Sequence, residues 1–166
     1  MKYALLLGCL LALIGGCNKP ARKEHATEMT QTNTNILTKN RWMLTKQKAK
    51  YRKNGQTKAY SIPERKACQK DDIYRFMANG LFVIDEGKQS CVSPPLPEND
   101  PPLLVCTGGW LCYRDTLTIQ LSEGDVLTYS IKTLTQDEMI LEKEFILSNG
   151  QHGSLEQLFC ALAKLN

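Results

Sequence analysis

The sequence predicts an all-β protein: a small antiparallel meander β-barrel or half-barrel with a short C-terminal α-helix. Three observations carry that expectation. Apolar residues alternate with polar ones over short runs from Ile36 to Leu147. Tight-turn residues separate the runs, foremost Asn79-Gly80, and Asn-Gly is the strongest signal for a two-residue hairpin turn. No strand–helix–strand rhythm interrupts them, so a parallel sheet is not expected.

The elements follow in order. Trp42, Leu44 and Thr45 open a first strand. Residues 73–78 and 81–85 form a hairpin about Asn79-Gly80, and residues 109–113 and 116–121 form another about Arg114-Asp115. Leu127, Tyr129 and Ile131 alternate with Thr128 and Ser130, and Met139, Leu141, Phe145 and Leu147 alternate with Glu138, Glu142 and Glu144. After Asn149-Gly150 the period changes. Ser154 and Gln157 have the spacing of a capping box, and Leu155, Leu158, Phe159, Leu162 and Leu165 share one helical face. Residues 148–166 are therefore expected to form a helix packed on the barrel. The stretch between Cys91 and Cys106 holds five of the seven prolines and reads as an extended loop.

The N-terminus reads as a targeting segment. Lys2 precedes an apolar run, Ala4 to Ile14, that is too short to span a bilayer. Leu13-Ile14-Gly15-Gly16-Cys17 resembles the lipobox of bacterial lipoproteins. That resemblance implies a signal peptide over residues 1–16, acylation of Cys17 and insertion of its acyl chains into membrane lipid. Asn18 implies onward transport to an outer membrane of the cell envelope. Residues 17–35 would be the lipidated cysteine and a disordered tether, because residues 18–35 are polar and almost free of large apolar groups.

Five cysteines remain beyond Cys9 and Cys17: Cys68, Cys91, Cys106, Cys112 and Cys160. A two-residue turn at Asn79-Gly80 pairs Phe76 with Val83 and Tyr74 with Asp85. Carried outward, the same register sets Cys68 opposite Cys91, within disulfide range. Cys112 shares strand parity with Trp110 and opposes Leu117, the environment of a buried thiol. The pairing of Cys106, Cys112 and Cys160 stays open.

No enzyme is expected. One histidine, His25, lies in the tether and the other, His152, beside the final helix; no nucleophile elbow, zinc-protease helix or phosphate-binding loop occurs. Asp71 and Asp72 are adjacent, so on a strand they point to opposite faces. Cys106 and Cys112 lack metal-ligand spacing, and neither metal nor cofactor is expected. Charge is uneven: residues 39–70 carry eleven Lys or Arg and one acid, while residues 71–166 carry six and fourteen. The basic segment suits either an anion-binding face or cross-strand pairing of Lys46, Lys48 and Lys50 with Glu138, Glu142 and Glu144. Nucleic acid is not an expected partner.

Several motifs together resemble bacterial lipocalin-like domains: "ILTKNRWML", "CQKDDIYRFMANGLFVIDEG", "GGWLCYRDTLTI" and "IKTLTQDEMILEKEF", in that order. The resemblance covers residues 36–147 and implies a barrel that holds a small apolar or amphipathic envelope ligand. The aromatic residues Trp42, Phe76, Trp110 and Tyr129 would line it. The alternative is a lipoprotein that binds another envelope protein, as an enzyme inhibitor or accessory, through loops such as Ser93 to Pro102.

Overall fold

The computed structural model describes residues 21–91 and 104–162. They form one helix, α1 (Ala21–Lys39), and nine strands: β1 (Arg41–Lys53), β2 (Gln56–Tyr60), β3 (Ile73–Phe76), β4 (Leu81–Asp85), β5 (Leu104–Tyr113), β6 (Thr116–Leu121), β7 (Val126–Leu134), β8 (Glu138–Ile146) and β9 (His152–Ala161). Cys17, the 1–16 segment and most of the proline-rich stretch lie outside the described residues.

All strand pairs are antiparallel; neighbours in sequence pair throughout except that β1, not β2, pairs with β3, and β1 pairs with β9 from Trp42 to Tyr51, which closes the sheet. Closure satisfies the edge groups of both strands without a partner chain. The other edge of β1 is shared. Arg41–Met43 pair with β3, and Ala49–Lys53 pair with β2. Strands β2 and β3 thus occupy one position in the wall, interrupted by residues 61–72, and the barrel has eight positions.

Alternation sends one set of side chains inward. Trp42, Leu44, Phe76, Phe82, Cys112, Leu117, Ile119, Tyr129, Met139, Leu141 and Phe159 form a single buried cluster. Leu37 of α1 joins it at 0% exposure, so the helix plugs the end of the barrel where β1 begins. The Trp42 indole Nε1 donates to the Leu37 carbonyl (3.2 Å). Further along α1, Asn33 donates to the Arg114 carbonyl (2.8 Å), and the Arg114 N–H donates to the Thr30 hydroxyl (2.9 Å).

Three expectations need correction. The C-terminal segment is strand β9, not a helix, and Ser154 and Gln157 sit within it. The Leu155–Phe159 pattern has helical spacing, but the open edges of β1 and β8 need ladder partners. Nine residue pairs on each side outweigh one local capping box. The tether is helical from Ala21. Its residues are polar, yet 21–39 hold neither glycine nor proline and include Ala, Arg, Lys, Glu, Met and Gln, which are good helix formers. Docking of Leu37 and Asn33 holds the helix on the barrel.

The β3–β4 hairpin is also one residue out of the expected register: Phe76 pairs with Phe82, and Tyr74 with Ile84. The Met77 N–H donates to the Leu81 carbonyl (2.8 Å) and the Gly80 N–H to the Met77 carbonyl (2.9 Å), so three residues turn the chain, with Gly80 at φ +82°. The hairpin at Arg114-Asp115 has the expected register, with Cys112 opposite Leu117.

Candidate functional site: a cleft at the break in the barrel wall

Pairing with β3 stops at Met43 and pairing with β2 starts at Ala49, so one edge of β1 between them has no ladder partner among the described residues. The chain from Ser61 to Asp72 arches over this gap. Pro63 has no N–H to give and keeps the arch out of the ladder. The Arg65 guanidinium takes the place of a missing strand, donating from Nη1 to the Leu44 carbonyl (2.7 Å).

The arch is pinned at its far end. Cys68 and Cys91 form a disulfide with Cα atoms 5.2 Å apart. The bridge forms although the ladder register has shifted, because the pairing ends at Ile73 and Asp85 and a 3₁₀ turn at Ala67–Gln69 resets the approach. One Asp71 carboxylate oxygen accepts from the Lys88 N–H (2.6 Å) and the Gln89 N–H (3.1 Å). Glu86 accepts from the Cys91 N–H (2.9 Å). Gly87 is required there, since a Cβ would lie 2.3 Å from the Asp71 carbonyl oxygen.

Between arch and strand lies a cleft of about 540 Å³. Met43, Leu44, Ile62 and Pro63 give it apolar walls, and Lys46, Glu64, Arg65 and Lys70 give it charge. A second cleft of about 480 Å³ continues from it between β1 and β2, sharing Gln47 and Ile62 and adding Lys58 and Tyr60. The Tyr60 ring packs between those of Tyr51 and Phe145, at centroid distances of 6.3 and 5.7 Å.

The charges are only partly matched. Lys70 meets Glu64 at 2.7 Å, and this bond holds the Glu64 carboxyl below its ordinary range. Lys48 lies 4.0 Å from Glu156 and Lys50 lies 3.7 Å from Glu142, which also binds Lys132 at 2.8 Å. The insertion of β9 between β1 and β8 gives Lys48 a partner on β9, while Lys50 reaches across to β8. Lys46 has no ion pair among the described residues. Arg65 Nη2 is shut off from solvent and meets no acceptor at good hydrogen-bond geometry among the described residues, while the guanidinium interacts with the Tyr74 hydroxyl. Asp72, 5% exposed, is raised by burial, and Arg65 opposes that shift. Burial likewise raises Tyr74, again against Arg65.

The four aromatic residues singled out as ligand-lining come together, but as packed core. Trp42 is 0% exposed, Phe76 and Tyr129 are buried, and Phe76 stacks edge-on against Trp110 at 5.3 Å. The Trp110 indole N–H donates to the Met77 carbonyl (3.0 Å). None of the four touches the cleft at the break. Cys106, Cys112 and Cys160 are free, and burial pushes the Cys112 thiol up to about 11. Among the described residues no group of three or more His, Cys, Asp and Glu is placed to hold a metal ion.

Sequence reasoning passed over the cleft residues Ile62, Arg65 and Lys70. The signal was present: Asn54-Gly55 is a second Asn-Gly turn, at φ 53° and 75°, and it builds the β1–β2 hairpin. With that hairpin placed, Pro63 marks where its second strand breaks.

The chain is similar in structure to lobster apocrustacyanin A1 (TM-score 0.45, 14% identity, 87% of this chain and 71% of that one). Apocrustacyanin C1 gives a TM-score of 0.45 at 15% identity, covering 88% and 71%. Bovine odorant binding protein, in complex with a selenium-containing odorant, gives 0.40 at 14% identity, covering 78% and 72%. No family model and no curated protein matches the sequence.

Proposed function

We propose that this protein is a membrane-anchored, non-enzymatic binding lipoprotein whose lipocalin-like barrel takes a small amphipathic envelope ligand in the wall cleft. One observation carries the reading. The inward face around Trp42 is filled by side chains, whereas the break between β2 and β3 leaves about 540 Å³, within the size range of small-molecule sites. The disulfide and the Asp71 hydrogen bonds hold the arch in place, so the cleft is preformed, which limits the ordering cost of binding. The lipobox-like Leu13–Cys17 supports anchoring, with α1 starting four residues after Cys17.

A second reading, protein interaction, has support on the outer wall. Leu111 and Tyr113 of β5 are 66% and 58% exposed, and Leu81 is exposed on the neighbouring strand.

Native mass spectrometry of protein purified from membranes separates the two. The expected spectrum holds a small molecule bound at one copy per chain and lost in the Ile62→Glu variant. A spectrum of acylated chain alone in every preparation contradicts ligand carriage.

A further inference from the structure

The outer wall of the barrel is divided by charge. Side chains that alternate with the core residues Cys112, Leu117, Ile119 and Tyr129 point outward. From Val105 on β5 to Ser130 on β7, none of these outward strand residues is charged. Val105, Leu111, Tyr113 and Val126 are apolar, and the others are Thr, Ser, Gln or Gly. With Leu81 on β4, they supply five of the eight large apolar side chains exposed among the described residues. The next outward residue of β7, Lys132, is drawn to Glu142 on β8 (2.8 Å). Among eight wall positions β6 lies opposite β1, whose outward Lys46, Lys48, Lys50 and Arg52 are all exposed.

The helix points to the same side. Leu37 lies in the core and its carbonyl accepts from Trp42 of β1. Asn33 and Thr30, one and two turns earlier, bond to Arg114 in the β5–β6 turn. Helix α1 therefore crosses the end of the barrel from β1 toward β5 and β6. Its first residue, Ala21, stands nine residues before Thr30. At 1.5 Å per residue that is about 13 Å further along the axis, past the rim of the charge-free wall. The four residue steps from Ala21 back to Cys17 reach about 14 Å at most. An acyl anchor on Cys17 thus enters a bilayer on the side of that wall.

We infer that the outer wall of β5–β7 is a lipid-contact face. The anchored barrel lies on its side, with Leu111, Tyr113 and Val126 in the headgroup region of the bilayer and the cleft beside β1 turned to water. Tyrosine suits that layer, having an apolar ring and a wet hydroxyl. A face without charge gains nothing from anionic lipid, so the contact is independent of lipid charge and of salt. The direction of α1 favours lipid over a second copy of the chain on this wall. The inference rests on the anchoring reading above and adds the orientation of the barrel.

Paramagnetic relaxation in nanodiscs tests it. The full acylated, isotope-labelled protein is placed in phosphatidylcholine discs that carry a gadolinium chelate on some lipid headgroups, with a diamagnetic chelate as the blank. The amide signals of Leu111, Tyr113, Thr118 and Val126 should be lost, and those of Lys46, Lys48 and Lys50 retained. Discs that include phosphatidylglycerol, and added salt, should give the same pattern. Replacing Leu111→Glu and Tyr113→Glu together, both at exposed positions, should bring back the signals of Thr118 and Val126. Equal loss over both walls, or loss centred on β1, would overturn the lipid face and leave the anchor standing. Retention of the β5–β7 signals would also overturn it, and two chains per disc in that case would give the wall to a second copy. Protein that washes off the discs, with no acyl mass on Cys17, would overturn the anchor and the inference with it.

Discussion

Where β1 leaves α1 it turns Trp42 and Leu44 inward, at 0% and 3% exposure; beyond the bulge near Thr45 the same strand turns Gln47 and Ala49 inward. The first half lies between β3 and β9 and meets Leu37, Phe159 and Met139. The second half lies between β2 and β9, beside the break, and faces clefts. Backbone pairing with β9 runs through both halves. The difference therefore comes from side-chain volume and from the missing ladder partner at residues 44–48. One half of the barrel is built for stability, and the other leaves room.

That contrast can be broken from either side. Trp42→Ala should have the largest effect, about 3–5 kcal/mol in urea unfolding, since it removes a fully buried indole and its bond to Leu37. Ile62→Ala, beside the cleft, should cost under about 1 kcal/mol and weaken ligand binding instead. The reverse pattern, a stable Trp42→Ala and an unfolded Ile62→Ala, would erase the division.

Replacing both Cys68 and Cys91 by serine should cost about 3.5 kcal/mol from loop closure over their separation of 23 residues. It should also loosen the arch, which hydrogen exchange at Arg65 to Lys70 would report as faster opening. Gly153→Ala is a smaller probe of the open half. Its Cβ would lie 2.5 Å from the Phe145 ring and 2.8 Å from the Lys50 carbonyl, so a loss of about 1–3 kcal/mol is expected on thermal unfolding.

Two milder measurements sharpen the picture. At pH 8 a thiol reagent should modify Cys106 and Cys160 well before Cys112, whose buried thiol is pushed up to about 11. Equal rates for all three would show the packed half to be open. Lys132 holds Glu142 below its ordinary range of 4.5. A lowered acid adds stability above that value and loses it as pH falls through the lowered one. The pair is on the surface, so Glu142→Gln should change acid unfolding by under about 1 kcal/mol and the effect should fade in salt.

Much of the fold was legible because a meander repeats one local rule. Alternation placed Trp42, Leu117, Tyr129, Met139 and Leu141 inward, and turn residues placed the hairpin at Arg114-Asp115. What stayed hidden was set by partners distant in sequence. The Ser154–Leu162 segment has a local helical pattern, and only the unpaired edges of β1 and β8 make it a strand. The helix over 21–39 is polar, and docking of Leu37 and Asn33 fixes its end on the barrel. The cysteine pair could be foreseen, while its register could not, because a three-residue turn at Ala78 to Gly80 shifts the ladder by one. The cleft was least legible: it depends on a strand that stops at Tyr60 and resumes at Ile73.

The most direct test of a lateral site is an amide NMR titration of the protein with decanoate. The expected shift changes concentrate in Met43 to Gln47 and Ile62 to Lys70, with the indole N–H signals of Trp42 and Trp110 unmoved. Shifts centred on Trp42, Phe76, Trp110 and Tyr129, with the arch silent, would place the ligand inside the barrel and contradict a site at the break.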